Sequence, residues 1–189
     1  MSLNTKLIDI RTLLTALNGY VDGLETGITV KCGYKSSSKS QTRPDNATPY
    51  AINDVVGTNP ATNIEFENVS SIAGGAIIIN HVRMSIAVAA VPSGMSGFRL
   101  HLYNAAPTAI ADNIAYNLPV ADRTKYLGYI DIDKPEDFGA TLISDMKDVG
   151  FDCELAAAST SLYGVLVAKA VFTPTALCVK TITLGCLEV

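Results

Sequence analysis

Tryptophan is absent from this chain of 189 residues, histidine occurs twice and cysteine four times. So little histidine leaves scant room for imidazole-rich metal sites or histidine-activated nucleophiles, and without tryptophan the strongest stacking platform for sugars and bases is missing. No window approaches the roughly 18 uncharged apolar residues of a membrane-spanning helix. The most apolar stretch, residues 74–91, is broken by Asn80, His81 and Arg83. Lys6, Asp9 and Arg11 interrupt the first turns where a secretory signal would carry its apolar centre, so no signal peptide is expected. Cys32, Cys153, Cys178 and Cys186 form no C-x-x-C pair, and with no export route they are expected to be free, buried thiols.

What is present suits a soluble, folded chain. Hydrophobic residues make up 48% and charged residues 17%, enough for one compact domain with an appendage. The formal net charge of −4 is unevenly spread: residues 1–49 are net basic, and residues 131–189 carry nine acids against four bases. Segregation of this kind points to solvated loops or to a basic front half that meets an acidic surface.

Leu3, Leu7, Ile10, Leu14, Leu17, Val21 and Leu24 recur at alternating spacings of three and four, which is a heptad seam. The spacing predicts a coiled-coil-type helix over residues 1–26, capped by Ser2 or Asn4 and stopped by Gly23 and Gly27. A helix this short is marginal alone, so the seam is expected to bind other copies or the chain's own domain. Leucine at a with leucine and isoleucine at d favours three or more strands, and a trimer is expected.

Residues 27–49 contain a brief strand-like run followed by a polar, basic, Ser/Thr-rich stretch that reads as a linker. Within it Lys31, Lys35, Lys39 and Arg43 recur every four positions with only Tyr34 interleaved. That is the pattern of a contact to an acidic partner surface rather than of a nucleic-acid reader.

From Tyr50 onward short apolar runs alternate with Gly- and Pro-containing breaks. Expected strands are 50–56, 63–69, 75–91, 97–104, 126–133, 141–144, 161–172 and 177–189. Phe98, Leu100 and Leu102 alternate with Arg99, His101 and Tyr103, as a strand with one wet face requires. The run 161–172 is apolar on both faces, with Leu162 and Leu166 on one and Val165 and Val167 on the other. It therefore needs a second cover, for which a subunit interface is the expectation. A short helix is also possible over 135–147. Residues 50–189 are read as a jelly-roll-like antiparallel β sandwich, and the whole chain as mainly β with an N-terminal helix.

Chemistry is sparse. His81 and His101 each have an arginine two positions away on the same face, which opposes protonation and metal binding. The S-x-x-K at 36–39 lacks its companion motifs. Asp131, Asp133, Glu136 and Asp137 crowd into seven residues without the EF-hand spacing. A solvated acidic loop is the simpler reading of them, and a hard cation the alternative. No enzyme activity and no cofactor are expected.

The order of parts carries a resemblance. A short heptad helix, a Ser/Thr-rich connector, then Thr48-Pro-Tyr50-Ala-Ile-Asn-Asp54-Val-Val-Gly57, with Gly97-Phe-Arg-Leu-His-Leu-Tyr103 and Ala111-Asp-Asn113 further on, resembles small virion proteins of tailed bacteriophages. The resemblance implies a non-enzymatic building block of the virion, assembled in the host cytoplasm. Its implied role is a capsid decoration or cement protein that bridges major capsid subunits as a trimer, or a head fibre. The alternative is a tail-fibre or receptor-binding, lectin-like module, with loop tips such as 104–112 as its contacts. The implied partners are copies of itself and the major capsid protein or another virion protein, with neither membrane nor nucleic acid.

Overall fold

A computed structural model describes residues 33–189. Nine strands carry the fold: β1 (Tyr34–Thr42), β2 (Ile64–Phe66), β3 (Ala76–Ile86), β4 (Gly97–Tyr103), β5 (Tyr126–Asp133), β6 (Glu136–Asp137), β7 (Leu142–Glu154), β8 (Leu162–Ala168) and β9 (Val179–Glu188). One sheet has the order β1-β9-β3-β7-β6 and the other β2-β8-β4-β5, and every pairing is antiparallel. The registers reveal a single folded ribbon. β1 pairs with β9, β2 with β8, β3 with β7 and β4 with β5, so the first half of the chain lies antiparallel against the second. Rolling that ribbon adds the β3–β9 and β4–β8 pairings, and the result is the two-sheet Greek-key wrapping of a jelly roll.

Period-two alternation sets the faces. Ile77, Ile79, Val82, Met84 and Ile86 of β3 point inward, with the phase reset by a bulge between Ile79 and His81. They meet Phe98, Leu100 and Leu102 of β4, Ile132 of β5 and Leu162 and Leu166 of β8 in one continuous core. Gly164 belongs to that packing: a Cβ there would stand 2.9 Å from Leu100 Cδ1 and 3.2 Å from Phe66 Cε2.

Three expectations are corrected. The fold class of a sandwich with an N-terminal coiled-coil-type helix does not hold: the described residues are β throughout, with a single 3₁₀ turn at Val120–Asp122 and no α-helix. The seam Leu3, Leu7, Ile10, Leu14, Leu17, Val21 and Leu24, and the span 1–26 given to it, lie outside the described residues. The basic stretch read as linker supplies β1 from Tyr34 to Thr42, held to β9 by its ladder and by Ser38–Thr183 and Ser40–Thr181 hydroxyl bonds of 2.7 Å each. Finally, residues 135–147 form the β6–β7 hairpin rather than a helix.

Candidate functional site

The chemistry-bearing side chains collect in two places, the outward face of the second sheet and one end of the sandwich. On the outward face, three rows cross β8, β4 and β5: Val167–Arg99–Asp131, Val165–His101–Tyr129 and Tyr163–Tyr103–Tyr126. Asn53–Val56 and Asn113–Tyr116 are hydrogen-bonded beside β8, through Val56 N to Leu166 O at 2.8 Å and Tyr116 N to Asn53 O at 2.8 Å. They bring Val55 and Tyr116 over the outward valines. Strand β8 is thus covered on its second face by its own chain, and the subunit interface expected there is corrected.

His101 lies under this cover. Its ring stacks on Tyr116 at 3.9 Å and Nδ1 meets the Tyr126 hydroxyl at 3.0 Å. Burial first, and then the Arg99 charge, lower its pKa to about 4, so the ring is neutral at pH 7. Arg99 binds Asp131 through two bonds of 2.7 and 3.0 Å, and its guanidinium rests on the Tyr129 ring at 3.8 Å. Lys169 reaches Asp131 from the other side at 3.3 Å. Tyr129 remains 48% exposed, so the neighbouring row ends in an open aromatic ring beside a cation and a carboxylate.

At the end of the sandwich sits a buried polar knot. Arg43 is 1% exposed; its Nε donates to the Tyr50 hydroxyl at 2.9 Å and its terminal nitrogens donate to the carbonyls of Asn46 and Thr48. Tyr50 donates to Asp112 Oδ1 at 2.5 Å, and Gly57 N donates to the same oxygen at 3.0 Å. Among the described residues, Asp112 Oδ2 has only the Arg43 guanidinium, at 3.5 Å. Burial and the bond to Asp112 hold the Tyr50 hydroxyl far above its usual range. Lys180, on β9, donates to Gly57 O at 3.2 Å, and burial lowers its pKa to about 8. Beside the knot a cavity of about 20 Å³, lined by Met84, Ile86, Met95, Phe98 and Phe172, has room for one water.

These positions revise the expected site residues. Arg43 is no contact for an acidic partner, because its charge is spent inside the fold on three loop groups and Asp112. Lys35 and Lys39 lie half-buried on the inward side of β1, and Lys31 lies outside the described residues. The acidic run disperses: Asp131 is paired with Arg99 and Lys169, Asp137 accepts from Gly139 N, and Asp133 and Glu136 line a cleft of about 200 Å³. Among the described residues no three His, Cys, Asp or Glu side chains stand close enough to hold a metal. His81 meets Asp145 at 2.6 Å. Burial pushes the Cys153 and Cys186 thiols up to about 12, and Cys178 upward as well. The loop 104–112, expected to offer contacts at its tip, ends in the buried Asp112. Sequence reading missed the knot because a buried arginine has the same spacing as a solvated one.

No protein-family model matches the chain, and no curated protein matches it significantly. Solved structures similar to it include viral capsid proteins. The decameric BFDV capsid protein is 10% identical, with a TM-score of 0.34, over 84% of this chain and 99% of that one. Tomato aspermy virus is 10% identical, with a TM-score of 0.29, over 93% and 95%. A lipoprotein of Bacteroides thetaiotaomicron is also 10% identical, with a TM-score of 0.30, over 82% and 83%. The jelly roll stands on the chain's own registers: a filled sandwich whose polar chemistry lies on its faces, edges and one end.

Proposed function

We propose that this chain is a virion structural protein of the kind found in tailed bacteriophages, a decoration or cement subunit that bridges neighbouring capsid subunits. The jelly-roll ribbon with a solid interior carries the reading. Jelly rolls serve as shell subunits, lectins and cupin-type enzymes, and fold alone does not choose among these. Here both histidines lie on outward positions and the space between the sheets is filled by side chains such as Leu100, Leu102, Ile79 and Leu166. What the molecule offers is surface. Ile52, Ile114, Val120, Phe138, Val171 and Leu177 are 55–73% exposed, which suits repeated lateral contacts. A trimer is the small ring that fits the local threefold positions of an icosahedral shell.

Purified particles stained with gold-labelled antibody to this chain test the reading. Label spread over the shell supports it. Label confined to the tail supports instead the receptor-binding alternative, which the open Tyr129 ring with Arg99 and Asp131 favours, and a glycan array would then be the next measurement. Particles without label overturn both.

A further inference from the structure

The first sheet has two open edges of opposite charge. At one end, β1 presents nine residues whose outer edge is unpaired among the described residues, and it contains Lys35 and Lys39 with no acid. At the other end, β6 covers only Leu142 and Ile143 of β7, leaving the edge from Ser144 to Glu154 open among the described residues. That stretch holds Asp145, Asp148, Asp152 and Glu154 against Lys147, and β6 adds Glu136 and Asp137. Unpaired edges are templates for another strand, and lysines on an edge strand ordinarily discourage pairing. Here the discouragement is selective: two β1 edges repel each other, as do two β7 edges, while β1 and β7 attract.

A second feature marks where the strand would enter. The cleft of about 200 Å³ lies where β6 ends, against Ser144, Asp145 and Met146. Its apolar side is Ile143, Met146 and Phe138, and its charged rim sets Asp133, Glu136 and Asp145 against Lys134, which leaves it net acidic. A lysine fits that combination, with its methylene stem on the apolar side and its ammonium at the carboxylates. Lys39 takes part in no ion pair among the described residues. The irregular backbone at Asp148 and Gly150, both at positive φ, ends regular pairing and limits the docking segment to Ser144–Lys147 beside the cleft.

We propose that β1 of one copy adds to the β7 edge of the next, with Lys39 in the acidic cleft, so that one sheet continues across the subunit boundary. The occupant is a second copy of this chain. The contact joins unlike surfaces, so it propagates head to tail and closes into a ring or continues as a row. It rests on the virion reading only for its setting, because it is measured on the purified chain and the virion role on particles.

The full-length chain is followed by sedimentation across a concentration series. Expected is reversible association that weakens about tenfold or more between about 0.05 M and about 0.5 M salt. Lys35→Glu with Lys39→Glu should give a folded protein that stays monomeric, and Asp133→Lys with Glu136→Lys should do the same. Mixing the two variants should restore association, since each then supplies the edge the other lost. Should a variant fail to fold, zero-length carbodiimide cross-linking of mixed ¹⁴N- and ¹⁵N-labelled wild-type chains reads the contact directly, with Lys39 joined to Glu136 or Asp133 between copies. A monomer at every concentration, association indifferent to both charge reversals, or cross-links that never join unlike isotopes overturns the proposal.

Discussion

Replacing Lys180 by methionine should stabilise the fold at neutral pH and destabilise it at high pH. Lys180 is almost fully enclosed, with one acceptor at 3.2 Å, and its pKa is lowered from 10.5 to about 8. A fall of that size means that the charged form costs the folded state about 3 kcal/mol at pH 7. Between about 8 and 10.5 the unfolded chain keeps a proton that the folded chain has released, so this lysine's contribution to stability rises with pH across that window. Methionine removes the charge and roughly keeps the volume, but it forfeits the bond to Gly57 O, worth about 1 kcal/mol. The variant should therefore be more stable by about 2 kcal/mol at pH 7 and less stable by about 1 kcal/mol once pH exceeds 10.5. The Cys153 and Cys186 thiols and Tyr50, whose folded pKa values are raised, lower stability above about pH 9 in both proteins and cancel in the difference. Urea unfolding followed by circular dichroism from pH 7 to 11 measures that difference. A variant that is less stable by the same amount at every pH would mean instead that the lysine carries a satisfied charge.

Other outcomes follow from particular contacts. With the His101 pKa near 4 in the fold and 6.5 free, the unfolded chain takes up a proton first on acidification; stability should fall by on the order of 2 kcal/mol from pH 6.5 to 4, and His101→Gln should flatten that slope in urea titrations. Leu100→Ala, at a fully buried position between the sheets, should cost about 3 kcal/mol and lower the thermal midpoint. Gly97→Ala should cost about 2 kcal/mol or more, since Gly97 has φ 126° and a Cβ there would stand 2.4 Å from Ile132 O. Native protein should leave Cys153, Cys178 and Cys186 unlabelled by Ellman's reagent until urea is added.

Much of the second sheet was legible because its strands bury one face and wet the other: Phe98, Leu100 and Leu102 announce β4 at once. Strand β1 was not, since its inward positions are Lys35, Ser37, Lys39 and Gln41, and an edge strand that packs polar groups has no apolar period to display. The double-sided β8 was read correctly as needing two covers, but sequence could not say that the second was the loop carrying Val55 and Tyr116, a pairing of segments about 60 residues apart that only the fold creates. Carboxylates told the same story at 131–137. Close in sequence, they are divided between the body of β5, its end and β6, so Asp131 serves Arg99 while Asp133 and Glu136 line a cleft. The Arg43 knot drew on Asn46, Thr48, Tyr50, Gly57 and Asp112, none of which differs in sequence from an ordinary loop residue.

We propose this jelly roll as a component of a virus shell. Cryo-electron microscopy of purified particles tests it most directly. Expected is ordered density on the shell into which a sandwich of strand order β1-β9-β3-β7-β6 over β2-β8-β4-β5 fits, with side-chain density matching Tyr50, Phe98 and Phe172. Particles whose shell contains no such density, and whose peptides by mass spectrometry include none from this chain, would contradict it.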